Sequence, residues 1–201
     1  MVTDTDSLQA HIDFVLELDK LKGVTRKTRP LGLDRAENSA EHSWQIAMMA
    51  ASMAHLAAEP VDVNRVVGML LVHDIGEIDT GDTLVYANVD WAAHKRAELA
   101  AVQRIFALLP GGRGAPFLAL WQEFEAEATP EARFANAVDR AMPVLLNLAN
   151  QGQSWRENGV SHARVVQRVG PQVQAGCPAL WAWLQARLLA ARDAGYFGAP
   201  D

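Results

Sequence analysis

One cysteine, Cys177, is found in 201 residues. No disulfide can form within the chain, and a cysteine-based zinc site is excluded. A lone thiol suits a reducing compartment. Excess positive charge is missing as well. The net charge is −6, so the chain as a whole is not held to nucleic acid by charge. No apolar run approaches the roughly 18 to 20 residues of a membrane span. Met1 to Ser7 carries two Asp and no basic residue, unlike a signal peptide. Together these absences predict a cytoplasmic protein without a membrane or nucleic-acid partner. Strictly alternating apolar and polar runs are also absent, so no strand is predicted.

Half the residues are hydrophobic and 21% are charged, the profile of a globular chain with a sizeable core. The apolar spacing is helical almost throughout. Leu8, His11, Ile12, Val15, Leu18 and Leu21 recur at steps of three and four and predict a first amphipathic helix, ended by Gly23. Residues 24–38 lack periodicity and read as a long loop, of the kind that often serves function. Ser39 is the expected N-cap of a second helix, with Glu41 in its first turn. A third helix opens at Val61-Asp62 and carries Val66, Met69, Leu70 and His73. A fourth spans about 92–109, and a short one 117–127. Thr129-Pro130 reads as an N-cap followed by a first-turn proline, opening a helix through Phe134, Val138, Asp139 and Leu145. Residues 147–159 read as irregular, and two late helices fall near 161–169 and 179–194. Both chain ends, Met1 to Ser7 and the tail from Gly198, are expected to fray. The expected class is all-α, with residues 1–201 forming one domain.

Four residues stand out on this helix map. His42 lies in the first turn of the second helix. His73 and Asp74 close the third after the apolar run Met69 to Val72. Asp139 lies midway along a later helix. An aspartate within an apolar helical face is costly unless it is paired or metal-bound. Helical bundles build metal sites from side chains on facing helices. Two imidazoles with two carboxylates suit divalent Mn, Fe, Co, Ni or Zn, and Mg less naturally. Taken alone, His42 is better explained as a surface histidine or one with a satisfied hydrogen bond than as a ligand. Glu77 and Asp82 by themselves read as solvated loop charges.

The flanking words separate these alternatives. Glu37-Asn38-Ser39-Ala40-Glu41-His42-Ser43-Trp44, Leu71-Val72-His73-Asp74-Ile75-Gly76-Glu77, Thr80-Gly81-Asp82 and Ala137-Val138-Asp139-Arg140 span residues 37–140. The chain resembles the HD superfamily of metal-dependent phosphohydrolases, within it the branch of 5'-deoxynucleotidases. The resemblance implies a single helical HD domain with core motifs over 37–140 and C-terminal helices over 160–195 packed on it. It implies one divalent ion held by His42, His73, Asp74 and Asp139, with Glu77, Asp82 and Asp74 serving catalysis. It implies a nucleotide or another small phosphate ester as substrate, and a homodimer. An arginine ahead of the first histidine grips phosphate in such relatives. Here Arg26 is the first choice, with Lys27 and Arg29 as alternatives, and the relatives' Arg-Trp pair is altered. Lys95 matches a further position that either reaches substrate or pairs with a carboxylate. Other HD reactions, on cyclic nucleotides or on pyro- and triphosphates, and a non-catalytic sensor module are the alternatives.

Overall fold

Polar side chains set where the helices begin. The Asp62 carboxylate accepts from the backbone of Asn64 and Arg65, Asp90 from Ala93, Thr129 from Ala132, and Ser161 from Arg164. Each satisfies a backbone N–H that the first helical turn leaves unpaired. The computed structural model describes residues 4–198. Its helices are α1 (Asp4–Asp19), α2 (Ser39–Met53), α3 (Val63–Val72), α4 (Glu77–Thr80), α5 (Trp91–Phe106), α6 (Ala115–Ala126), α7 (Pro130–Ala149), α8 (Gln153–Glu157), α9 (His162–Gly176) and α10 (Pro178–Asp193). The class is all-α. Among the described residues the one strand-type pairing is an isolated antiparallel bridge between Thr25 and Asn38. None of the described helices is long and apolar enough to cross a membrane.

Several boundaries differ from the sequence reading. The N-cap of α2 is Asn38, not Ser39. The Asn38 side chain accepts from the Glu41 N–H while Glu41 accepts from the Asn38 N–H, a reciprocal capping box. Ser39 is thereby moved inside the helix and buried. The stretch 147–159 is more ordered than expected, because α7 runs on to Ala149 and α8 follows after a turn at Gly152. The first late helix, α9, continues through Gly170 and Pro171 as far as Gly176. The expected fraying of the ends falls mostly outside the described residues, and Asp4 to Ser7 opens α1.

Helix α7 is the axis of the main core. It packs against α9, α3, α2 and α6. Its Phe134, Val138, Ala141 and Val144 are buried against Ile46 of α2, Val66, Met69 and Leu70 of α3, and Val165 and Val173 of α9. Close approach of α9 to α7 depends on Gly176, where an added Cβ would stand 2.1 Å from the Arg133 carbonyl oxygen. A second cluster joins Phe14 of α1, Val72 and Ile75, Val102, Ile105 and Phe106 of α5, and Trp121 of α6. The main core therefore fixes α2, α3 and α7, the three elements that bear or adjoin the expected ligands, and the second cluster also holds the end of α3.

Residues 24–38 are not a free loop. Arg26 N–H donates to the Glu37 carbonyl at 2.8 Å, Glu37 N–H to Thr28 at 2.9 Å, and Ser39 N–H to Val24 at 3.0 Å. The two arms form a strap laid along the start of α2. No periodic pattern foretold it, because its cross-links are backbone pairs that any residue can make.

Candidate metal centre

His42, His73 and Asp139 each present one ligand atom, and these three atoms lie within 4.8 Å of one another. His42 projects from the first turn of α2 and is fully buried. Its Nε2 is 3.0 Å from Asp139 Oδ1. Asp139 projects from the middle of α7. His73 follows the last residue of α3, and its Nδ1–H donates to the Leu70 carbonyl at 2.9 Å. That bond leaves Nε2 facing the carboxylates, 3.6 Å from Asp139 Oδ1 and 3.0 Å from Asp74 Oδ1. The Phe124 ring stands 5.0 Å from the His73 ring, centroid to centroid, and closes the apolar side.

Asp74 adjoins this trio without belonging to it. One oxygen faces His73, and the other accepts from Arg26 Nη1 at 2.8 Å. Arg26 also lies 3.7 Å from Asp82 Oδ1. Glu77 is buried at the start of α4, where its Oε2 accepts from Ser39 Oγ at 2.6 Å. The Glu77 N–H donates to the Asp74 carbonyl at 3.0 Å, so one turn brings both acids to the same place.

The electrostatics call for a cation. Burial works against charge on Asp139, but the hydrogen bond from His42 and the nearby His73 hold its carboxyl well below the usual range. Burial also opposes ionisation of Asp74, and the charges of His73 and Arg26 overcome it, bringing Asp74 down to about 2. Burial should lower the pKa of His73, yet Asp74 and Asp139 push it up to about 10. Without metal, a proton on His73 thus balances the two aspartates. Glu77 goes the other way. Burial and the nearby Asp74 raise it to about 9. Burial raises Asp82 too, against the pull of Arg26. Arg26 loses solvation, but Asp74, Asp82 and Glu77 hold its proton more firmly than usual.

The residues fit a divalent ion. His73 Nε2 is buried with no hydrogen-bond partner, aimed at two carboxylates. The His73 tautomer that presents a lone pair is set by the Leu70 carbonyl, the usual support for a metal-bound histidine. Two imidazoles and a carboxylate suit a transition-metal ion, and three protein ligands leave positions open for substrate and water.

A cavity of about 210 Å³ opens from this centre. Arg26, Lys27, His73, Asp74, Glu77, Asp82, Lys95 and Asp139 line it, so the structure brings together most of the expected site. Arg29 is not among the lining residues. It pairs with Asp34 at 3.0 Å and Glu157 at 3.1 Å. Lys95 sits on the far wall in ion pairs with Glu98 at 3.1 Å and Glu125 at 2.6 Å. Nothing in the sequence marks Tyr86, Phe124 and Arg140, which also line the cavity, or the contact of Ser39 with Glu77. The only signal at Ser39 is that of a cap, since a serine so near a helix start invites that reading. Trp121, Trp155 and Trp181 are core residues, Trp91 and Trp155 line the cavity, and Trp44 and Trp183 are exposed.

Comparison with known proteins adds to this geometry. The 5'-deoxynucleotidase HDDC2 of Danio rerio is 29% identical over 133 residues, covering 64% of this chain and 65% of that protein. The human protein of the same name is 28% identical over 113 residues, covering 56% of this chain and 54% of its own length. The chain thus spans roughly half to two thirds of the length of these curated relatives. The crystal structure of a protein described as a predicted metal-dependent phosphohydrolase, from Magnetospirillum magnetotacticum MS-1, is 43% identical. It covers all of both chains with a TM-score of 0.91. Residues 18–181 match the HD domain, a span that takes in both histidine-bearing segments, the strap and Asp139 on α7. This chain belongs to the HD domain family.

Proposed function

We propose that the protein is a metal-dependent phosphohydrolase that removes the 5'-phosphate from nucleoside or deoxynucleoside monophosphates. The observation that carries this reading is the convergence of His42, His73 and Asp139 within 4.8 Å, beside a mostly buried arginine at one end of a cavity. The relatives named 5'-deoxynucleotidase support the monophosphate as substrate.

In this reading His42, His73 and Asp139 hold the ion, with Asp74 as the fourth ligand through the oxygen that faces His73. When bound, a divalent ion supplies Lewis acidity, which acidifies water and neutralises phosphate charge. The protein's own residues do the rest. The planar fork of Arg26 takes two phosphate oxygens, exchanging part of its contact with Asp74 and Asp82 for the substrate. Lys27, on the same wall, adds positive charge. Glu77 handles the proton, and its Ser39 bond keeps the carboxyl aimed at the centre. Asp82 orients the attacking water or the sugar. Asp74 links the phosphate grip to the ligand set. Lys95 holds the far wall through Glu98 and Glu125, within reach of the leaving nucleoside. Arg29, outside the cavity, takes no part.

Residues 1–201 act as one HD domain. Cys177 is buried and free, in keeping with a reducing, cytoplasmic setting. Exposed Leu8, Ile12, Val15 and Leu16 on α1 favour a homodimer. The test is phosphate release from a panel of ribo- and deoxyribonucleoside monophosphates, cyclic nucleotides and nucleoside triphosphates, after metal stripping and with Mn²⁺, Co²⁺ or Mg²⁺ restored. Release confined to monophosphates supports the reading. Turnover of cyclic or triphosphate substrates alone, or none with any ion, overturns it.

A further inference from the structure

Glu37 is a buried carboxylate on the second arm of the strap, 1% exposed. Two buried nitrogens lack a hydrogen-bond partner on its side of the site, Arg26 Nε and His42 Nδ1. Both lie 3.7 Å from the same atom, Glu37 Oε2. That oxygen already accepts from Thr28 Oγ1 at 2.7 Å. The gap is too short to hold a bridging water and slightly too long for a direct bond. A shift of under about 1 Å closes either contact to hydrogen-bond length. The backbone keeps Glu37 in place, because it exchanges bonds with Arg26 and Thr28 on the facing arm.

The chemistry of His42 gives this contact a purpose. Asp139 Oδ1 can only accept, so in the metal-free protein the His42 Nε2 at 3.0 Å carries the proton. A histidine that binds metal through Nε2 must present a lone pair there and carry its proton on Nδ1. For His73 the Leu70 carbonyl selects that tautomer. For His42 the acceptor facing Nδ1 is Glu37. We propose that Glu37 is a positioning residue that selects the metal-binding tautomer of His42 and, through the same oxygen, aligns the Arg26 fork. One carboxylate then couples loading of the ion to the grip on phosphate. This inference rests on the metal-dependent reading above.

The test compares wild type, Glu37→Gln, Glu37→Asp and Thr28→Val. Metal-free protein is titrated with Mn²⁺ without substrate, reading free ion by electron paramagnetic resonance. Phosphate release is then followed at saturating Mn²⁺. Glu37→Gln should weaken Mn²⁺ binding by about 10-fold or more, as loss of a partner to a metal-bound histidine commonly does. At saturating Mn²⁺ it should raise KM more than it lowers kcat, because the Arg26 alignment is still lost. Glu37→Asp should recover most of the affinity. Thr28→Val, which only loosens the carboxylate, should weaken Mn²⁺ a few-fold. Wild-type affinity in Glu37→Gln overturns the proposal. If that variant does not fold, wild-type affinity in Thr28→Val does so. A wild type that binds Mn²⁺ but releases no phosphate overturns the hydrolase reading, while the affinity comparison still decides Glu37. A wild type that binds no Mn²⁺ overturns both.

Discussion

Ser39 Oγ donates to Glu77 Oε2 at 2.6 Å, tying the first turn of α2 to the start of α4 across 38 residues. The contact places a hydroxyl donor on an acid that burial and Asp74 drive up to about 9. Replacing Ser39 with Ala removes that donor without touching a ligand. Turnover should fall by about 10-fold, in line with roughly 1.5 kcal/mol for a hydrogen bond to an acidic group. Metal content should stay at the wild-type level. Elemental analysis beside a phosphate-release assay checks both, and an equal loss of metal would contradict the assignment.

The raised groups make the stability of the metal-free protein depend on pH. Glu77 moves from 4.5 to about 9 on folding, and His73 from 6.5 to about 10. Both bind their protons more tightly folded than unfolded. Their contributions are complete below the unfolded values and are lost as pH rises through the folded ones. The melting temperature of metal-stripped protein should therefore fall steadily from pH 5 to pH 9. Glu77→Gln should make the fall shallower between about pH 5 and pH 6.5, before His73 begins to contribute. Thermal melts in matched-ionic-strength buffers give the answer, and a flat wild-type profile would refute the electrostatic picture.

Asp139 lies at the meeting point of both histidines. Asp139→Asn should remove the bound ion and lower phosphate release by at least about 100-fold, on the scale of losing a principal electrostatic group. The fold should survive, as read by circular dichroism, because the amide fills nearly the same volume within α7.

The arginines of the strap should separate cleanly. Arg26→Ala should raise KM by about 10- to 100-fold, the worth of a hydrogen bond to a charged group. Arg29→Ala should leave KM within about two-fold, because its partners Asp34 and Glu157 lie outside the cavity and exposed pairs contribute little. Steady-state kinetics on a nucleoside monophosphate distinguishes them.

Packing offers a prediction whose sign opposes helix propensity. Ala is favoured over Gly inside a helix by about 1 kcal/mol. At Gly176 the added methyl would meet the Arg133 carbonyl at 2.1 Å and the Ala137 side chain at 2.7 Å. Gly176→Ala should destabilise the protein by about 1–3 kcal/mol, the usual range for overpacking. Urea denaturation would show it.

The parts of the site legible in the sequence are those carried by short words. His42, His73, Asp74 and Asp139 stand in runs of neighbours that mark them, and Thr129-Pro130 announces α7 by local chemistry alone. Glu77 is legible through the resemblance alone, since by itself it reads as a solvated loop charge, and the turn that joins it to Asp74 is seen in the fold. Residues whose role is made across the fold were not. Ser39 looked like a cap because its tertiary partner lies 38 residues away. Glu37 stands within one of these words, but its task is invisible there, because only folding sets it beside Arg26 and His42. Short α8, with five residues, offers too little periodicity to be seen. Arg29 was one of three basic neighbours in sequence, and only the direction of the strap separates it from Arg26.

The strap has one further consequence. Its arms are cross-linked from Val24 to Thr28 on one side and from Glu37 to Ser39 on the other, while the tip over 31–35 is exposed. Insertions, deletions or substitutions at that tip leave the paired arms and the start of α2 in register. Evolution can therefore rewrite this exposed edge of the strap while the paired arms that carry Arg26 and Glu37 are inherited unchanged. A designer can graft new tips there without rebuilding the residues around the metal centre.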